Sequence, residues 1–321
     1  MSDRRNITTW CLFCLVLAAT VLPSIYAAQE KEAMTVEEFV KARMEGRGGA
    51  GAARENFGPL LKADPNRAFE ALMQYRNHPK HQVRSEMLRY VMIMRARHRS
   101  AELDRKIVRL LLELFVAKYD ERGLMRADVK RYAPRFSSDV YDDDAKDLIR
   151  KAFREKRLSK DTLRLYSIAN MKEDLPELRK AFEAKEWPPD DPKDETWYED
   201  MKWAFRKVMA QFGDEESITY CVSRVDQEDR PRVKVGALTD LKRIRHPDVV
   251  RLLDKCLKSA EMVKGLHDSY PLSGHAVHAL TQLLDGFPVG KKRGPIWYSK
   301  TDIAKCREWM NEQTEWKFKG L

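Results

Sequence analysis

The chain has 321 residues, of which 43% are apolar and 34% are charged. This composition excludes a wholly disordered chain, and 14 glycines and 14 prolines are few for an all-β protein with many tight turns. Leu, Ala, Glu, Lys, Arg and Met are abundant and favour helices, which predicts an all-α protein. The net charge of +10 mildly favours an anionic surface or polymer as a partner, and the alternative is a solvated helical surface of mixed charge.

Residues 1–27 have the layout of a secretory signal peptide: a basic start, an apolar run and small residues at the end. We expect cleavage after Ala27. The alternative is an uncleaved N-terminal membrane anchor, but the run is shorter than the roughly 20 residues that span a bilayer. The protein is therefore predicted to be exported to the periplasm or the cell exterior and to meet the membrane only through this segment. Nucleic acid is not expected as a partner there.

Residues 28–63 are predicted to form a tail, a short helix capped by Thr35 and a Gly-rich joint at 46–51. From Asp64 the pattern changes to successive amphipathic helices, so 64–186 is predicted to be a first helical sub-array. The acidic run 142–144 within it is expected to start a helix. The Pro/Asp-rich segment 187–194 is either a hinge or a long loop.

Segment 195–285 carries the clearest repeat. Helices are predicted to turn at Gly213-Asp214 and again at Pro247-Asp248, which gives a period of 34 residues. A fixed period of helix–turn–helix units is typical of α-solenoids, because one helix pair cannot bury its apolar face alone.

Two stretches, 232–241 and 246–253, resemble HEAT repeats in their Arg-Val-Lys-Val-Gly-Ala-Leu and His-Pro-Asp-Val-Val runs. A similar start is found at 78–88. The tetratricopeptide repeat has the same period, but its Trp- and Tyr-containing signature is missing. The resemblance implies an all-α, right-handed superhelical stack of antiparallel helix pairs, which is a HEAT-like α-solenoid.

The C-terminal segment 286–321 departs from this pattern and is predicted to be a basic-aromatic loop followed by a capping helix over about 301–316. Cations beside aromatic rings can hold an acidic peptide or an anionic polymer by charge and stacking. The alternative is that Trp297 folds onto the last repeat. The candidate binding residues are Lys291, Lys292, Arg293, Trp297 and Tyr298.

No catalytic, cofactor or metal site is predicted. His275 and His278 share a helix face, with His267 and Asp268 upstream, but they lack the framework of a zinc site, and His78 and His81 are expected to be turn or cap residues. The mature cysteines either include one disulfide and one odd thiol or are separate buried thiols, and their helical core spacing favours buried thiols. These cysteines are Cys221, Cys256 and Cys306.

The sequence therefore predicts an exported, non-catalytic repeat scaffold that binds a protein partner, with a cell-envelope assembly as one setting. The alternative is a helical enzyme that acts on an envelope polymer. Its carboxylates would lie near the Trp-rich segment, at Glu195, Glu199 and Asp200.

Overall fold

A computed structural model describes residues 35–45, 57–117, 124–155, 159–185, 195–264 and 269–320. The predicted signal peptide, the Gly-rich joint and segment 187–194 lie outside these residues. Helices dominate the described part of the chain, which confirms the all-α class. None of these helices is long and apolar enough to cross a membrane. Contacts within the chain divide it into two compact units, Met1–Ile107 and Val108–Leu321.

Among its described residues, the first unit contains four helices and the start of a fifth. They are α1 (Val36–Glu45), α2 (Gly58–Lys62), α3 (Pro65–Met73), α4 (His81–Arg97) and α5 (Ala101–Ala117), the last of which crosses the boundary between the units.

Two predicted helix starts in this unit are confirmed. The Thr35 hydroxyl accepts from the backbone N–H of Glu38, whose carboxylate accepts from the backbone N–H of Thr35, so that the two residues form a capping box. Asp64 accepts from two backbone N–H groups at the start of α3. The sequence did not reveal that Arg84, in α4, is fully buried. Its guanidinium donates to the carbonyl oxygens of His78 (2.5 Å) and Pro79 (3.1 Å), which ties the preceding turn to the helix.

The second unit continues with ten further helices among the described residues and one short hairpin. The helices are α6 (Leu124–Tyr132), α7 (Asp143–Arg154), α8 (Lys160–Ala169), α9 (Leu175–Ala184), α10 (Glu195–Gln211), α11 (Glu215–Asp226), α12 (Pro231–Leu241), α13 (Pro247–Lys258), α14 (Leu272–Leu283) and α15 (Lys300–Glu312). The hairpin pairs β1 (Met262–Lys264) with β2 (Ser269–Pro271) in antiparallel register.

The predicted turns of the repeat segment are present, with one correction. Gly213 adopts φ +93°, a left-handed conformation that favours glycine, and Asp214 then caps α11 by accepting from the backbone N–H of Ser217. At the corresponding start of α13 the capping side chain is His246, whereas Asp248 lies inside the first turn. The structural spacing of the two caps is therefore slightly shorter than the spacing of the aligned aspartates.

The acidic run starts a helix as predicted, since Asp142 caps α7.

Two other features of the second unit differ from the sequence expectation. The hairpin was not predicted, because three-residue strands carry almost no periodic signal. Helix α15 ends at Glu312, so Trp316 lies beyond it. The chain instead returns to the end of α14, where the backbone N–H of Asp285 donates to the carbonyl oxygen of Lys317 (2.8 Å). The aromatic residues of this tail pack on the core.

Ion pairs between a cation of one helix and an aspartate further along recur through the second unit. Arg109 pairs with Asp142 (2.6 Å), Arg179 donates to Asp214 (2.6 Å), and Lys207 pairs with Asp240 (2.6 Å). The partners are separated by 33, 35 and 33 residues respectively. Other pairs of this type span 24 residues (Arg150 and Asp174) or 40 residues (Lys160 and Asp200), so the separation is not constant along the chain.

Candidate binding surface

The loop between α14 and α15 carries the predicted binding residues, and internal contacts fix it in place. A short 3₁₀ turn, Pro295–Trp297, interrupts the loop. The hydroxyl of buried Tyr298 accepts from the backbone N–H of Lys292 (3.0 Å), and Lys292 Nζ reaches Asp302 in α15 (2.6 Å). The hydrogen bond from Lys292 lowers the pKa of Asp302 to about 2, which keeps this ion pair charged.

Two of the five predicted residues therefore have structural roles. Lys292 and Tyr298 brace the loop, and the Lys292 ammonium also lies 5.5 Å from the centre of the Tyr298 ring. The sequence could not distinguish them from their neighbours, because bracing depends on contact with α15.

The other three residues face solvent and are joined by an apolar residue that the sequence did not indicate. Ile296 and Trp297 are 59% and 57% exposed, which is unusual for side chains of this size. Lys291 and Arg293 are exposed, and within the described ranges neither forms a salt bridge. These four residues, Lys291, Arg293, Ile296 and Trp297, are referred to below as the basic-aromatic turn.

A close backbone approach positions the turn. A Cβ atom added to Gly274, which is buried in α14, would lie 2.6 Å from the carbonyl oxygen of Pro295. Glycine therefore lets the 3₁₀ turn rest directly on the helix. The alternative prediction, that Trp297 folds onto the helices, is wrong, since Tyr298 is the aromatic residue that points inward.

The histidines form no recognisable metal site in the described part of the chain, where no group of three potential ligands is found. His267 and Asp268 lie outside that part. Burial, with the charge of His278, lowers the pKa of His275 to about 4, and Nε2 of His275 and Nδ1 of His278 are buried without a hydrogen-bond partner among the described residues. In the first unit, His78 Nδ1 accepts from the backbone N–H of Lys80 (3.1 Å), as expected for a turn residue.

Of the carboxylates of the alternative enzyme hypothesis, Glu199 lines an open pocket of about 640 Å³, whereas Asp200 is not among the described residues that line it. Glu199 lies 3.7 Å from Arg224 in this pocket, and Asp200 pairs with Lys160 (2.5 Å). A hydrogen bond from Arg230 lowers the pKa of Glu228, on the same wall, to about 2. A general acid for sugar cleavage needs a raised pKa, so this pocket has the electrostatics of an ion-paired surface. Glu195 is the first residue of α10.

The three cysteines within the described ranges are buried, and none of them is paired there. Burial raises the pKa of Cys221 and Cys306 to about 12 and that of Cys256 to about 11. They are core side chains with little thiolate at neutral pH, as the alternative of separate thiols predicted.

Comparison of the chain with models of protein families, with curated proteins and with solved structures gave no match.

Proposed function

We propose that the protein is an exported, non-catalytic scaffold of HEAT-like helical repeats that binds a protein partner through the basic-aromatic turn. The observation that carries the proposal is the exposure of Ile296 and Trp297 on a turn that Lys292 and Tyr298 hold rigid. Tryptophan and arginine, both present on this turn as Trp297 and Arg293, are enriched among the residues that dominate binding energy at protein interfaces.

The partner is expected to present an apolar pocket bordered by carboxylates. Trp297 and Ile296 would fill the pocket, while Lys291 and Arg293 pair with acidic residues at its rim. The net charge of +10 supports an acidic partner, since it steers encounter with a negative surface. A cell-envelope assembly is the setting that the N-terminal pattern favours.

The repeat assignment is supported by the 34-residue spacing of Gly213-Asp214 and Pro247-Asp248 in the sequence. Capped helix starts at Asp214 and His246 mark comparable points in two successive helix pairs. A superhelical stack of antiparallel pairs is the arrangement that such a repeat would build.

Site-specific photo-cross-linking in intact cells tests the proposal. A photoreactive phenylalanine derivative replaces Trp297 and, as a control, Val233, which is 45% exposed in the first turn of α12. We expect one recurring protein to be linked from position 297 and not from position 233. Reversing both charges, with Lys291→Glu and Arg293→Glu, should abolish that product.

Cross-links to polymer alone, or equal links from both positions, would contradict a protein-binding turn. A substrate turnover by the purified protein that a single substitution at Glu199 or Asp200 abolishes would instead favour the enzyme.

A further inference from the structure

The turn between α12 and α13 contains several cationic residues, and cationic residues of neighbouring elements lie close to it. Its sequence is Lys-Arg-Ile-Arg-His, from Lys242 to His246. Ile244, only 1% exposed, anchors the turn in the core, while Lys242 and Arg243 are partly buried. Cations of this kind normally have carboxylate partners.

Arg243 is held against α8 by a neutral acceptor. Its Nη1 donates to Ser167 Oγ (3.1 Å). Ser167 Oγ in turn donates to Gln211 Oε1 (2.5 Å), and Gln211 Nε2 donates to the Ser167 carbonyl (2.8 Å), so the serine is fixed. Arg164 precedes Ser167 by three residues and therefore lies on the same face of α8.

Lys242 brings further basic groups close to the turn. Lys242 is close enough to His278 of α14 and to Lys291 for their charges to interact, and the His278 ring lies 6.2 Å from the Tyr298 ring. Burial lowers the pKa of Lys242, and the charges of Arg243 and Lys291 lower it further. Burial likewise lowers the pKa of Arg243, with Arg164 adding to the effect.

Carboxylates do not balance this charge. Among the described residues, no salt bridge involves the four cations Arg164, Lys242, Arg243 and Lys291, referred to below as the cationic cluster. Asp240 favours charged Lys242, but its Oδ2 already accepts from Lys207 (2.6 Å) and from the Trp203 indole (3.1 Å). Crowded like charges are costly unless an anion joins them.

We propose that the cationic cluster binds a phosphate monoester group. A guanidinium presents paired donors that match the oxygens of phosphate, and Arg243 uses only one of its donor atoms on Ser167. A phosphate monoester carries about −1.5 to −2 charge near neutral pH, which balances several cations where a single carboxylate does not. The group can belong to a soluble metabolite or to a lipid head group. This site is distinct from protein binding by Trp297, although Lys291 contributes to both.

Titration of the full chain with inorganic phosphate, at constant ionic strength set with sodium chloride, tests the proposal. Isothermal calorimetry gives the affinity, and the melting temperature gives an independent measure of binding. We expect Arg243→Gln to weaken phosphate binding by about tenfold or more, and Arg164→Gln to weaken it several-fold. Arg164 is exposed, so its replacement keeps the test valid if Arg243→Gln destabilises the fold.

Arg245→Gln is the matched control. It removes the same charge from the same turn, yet burial alone lowers the pKa of Arg245, with no contribution from the cationic cluster. We expect its phosphate affinity to equal that of the unaltered protein. Equal loss in the Arg243 and Arg245 variants would show a general charge effect and overturn the site.

Vesicles of phosphatidylcholine with phosphatidic acid, a phosphate monoester lipid, show whether the bound phosphate group belongs to a lipid or to a soluble molecule. Arg243-dependent sedimentation with these vesicles supports the site with a lipid ligand, and Arg243-dependent binding of inorganic phosphate alone supports it with a soluble one. If neither probe depends on Arg243 and Arg164, the proposal is wrong.

Discussion

Replacing Gly274 by alanine tests how the basic-aromatic turn is held on α14. The added methyl carbon would lie 2.6 Å from the carbonyl oxygen of Pro295, well inside van der Waals contact. Because this neighbour is backbone, it can move only if the 3₁₀ turn moves with it. Overpacking of this kind costs about 1–3 kcal/mol. Alanine regains about 1 kcal/mol in a helix, so we expect a net loss of up to about 2 kcal/mol.

Gly236→Ala is the matched control. Gly236 also lies inside a helix, α12, but a Cβ atom there meets nothing within 4 Å. We expect this variant to be more stable than the parent by about 0.5–1 kcal/mol. The difference between the two variants, about 1–3 kcal/mol, then isolates the contact with Pro295.

Urea unfolding measures both free energies, and iodide quenching reports on the turn itself. Trp297 is exposed on a turn that carries Lys291 and Arg293, so iodide should quench it more than caesium does, and Trp297→Phe should remove that part of the quenching. Gly274→Ala should change the quenching, whereas Gly236→Ala should not. Equal stabilisation by both alanines, with unchanged quenching, would refute the proposed seating of the turn.

Three further predictions concern buried groups of the second unit. Burial lowers the pKa of His275 from 6.5 to about 4, so as the pH falls this histidine is protonated in the unfolded chain before it is protonated in the folded protein. The free energy of unfolding should therefore fall by about 3 kcal/mol between pH 6.5 and 4. Denaturation of His275→Gln at the same pH values should show a smaller decrease. Asp214, 4% exposed, caps α11 and pairs with Arg179, so Asp214→Ala should lower the unfolding free energy by about 1–3 kcal/mol, whereas Asp214→Asn, which retains a cap acceptor, should lose less. Burial protects the thiols of Cys221, Cys256 and Cys306, so in the native protein they should resist an aromatic disulfide reagent at pH 8 and should react fully in denaturant. Fast labelling of the native protein would contradict this prediction.

The helices and their starts were predictable because their signals are local. A capping box needs only Thr35 and Glu38, and a cap such as Asp64 or Asp142 needs only the next turn of chain. The exception at α13 has the same local origin. His246 has a ring nitrogen at the capping position, and it is seldom counted among capping residues.

The roles of individual side chains were less predictable, since they depend on residues distant in sequence. Lys292 and Arg293 are neighbours in one basic run, yet only Lys292 reaches Asp302. Trp297 and Tyr298 are adjacent aromatic residues with opposite orientations. Nothing in the local sequence assigns the inward position, because it is set by the surface of α14 and by the Gly274 contact.

Helix dipoles could in principle balance the positive charge of the cationic cluster without a bound anion. Lys242 and Arg243 follow the C-terminus of α12, where the helix dipole favours positive charge. That dipole is equivalent to about half an elementary negative charge, so it offsets part of one cation and leaves the rest unbalanced. Arg164 lies in the middle of α8 and Lys291 in a loop, so neither is at the C-terminal end of a helix. With Asp240 engaged by Lys207 and Trp203, an added anion is the simplest source of the missing charge.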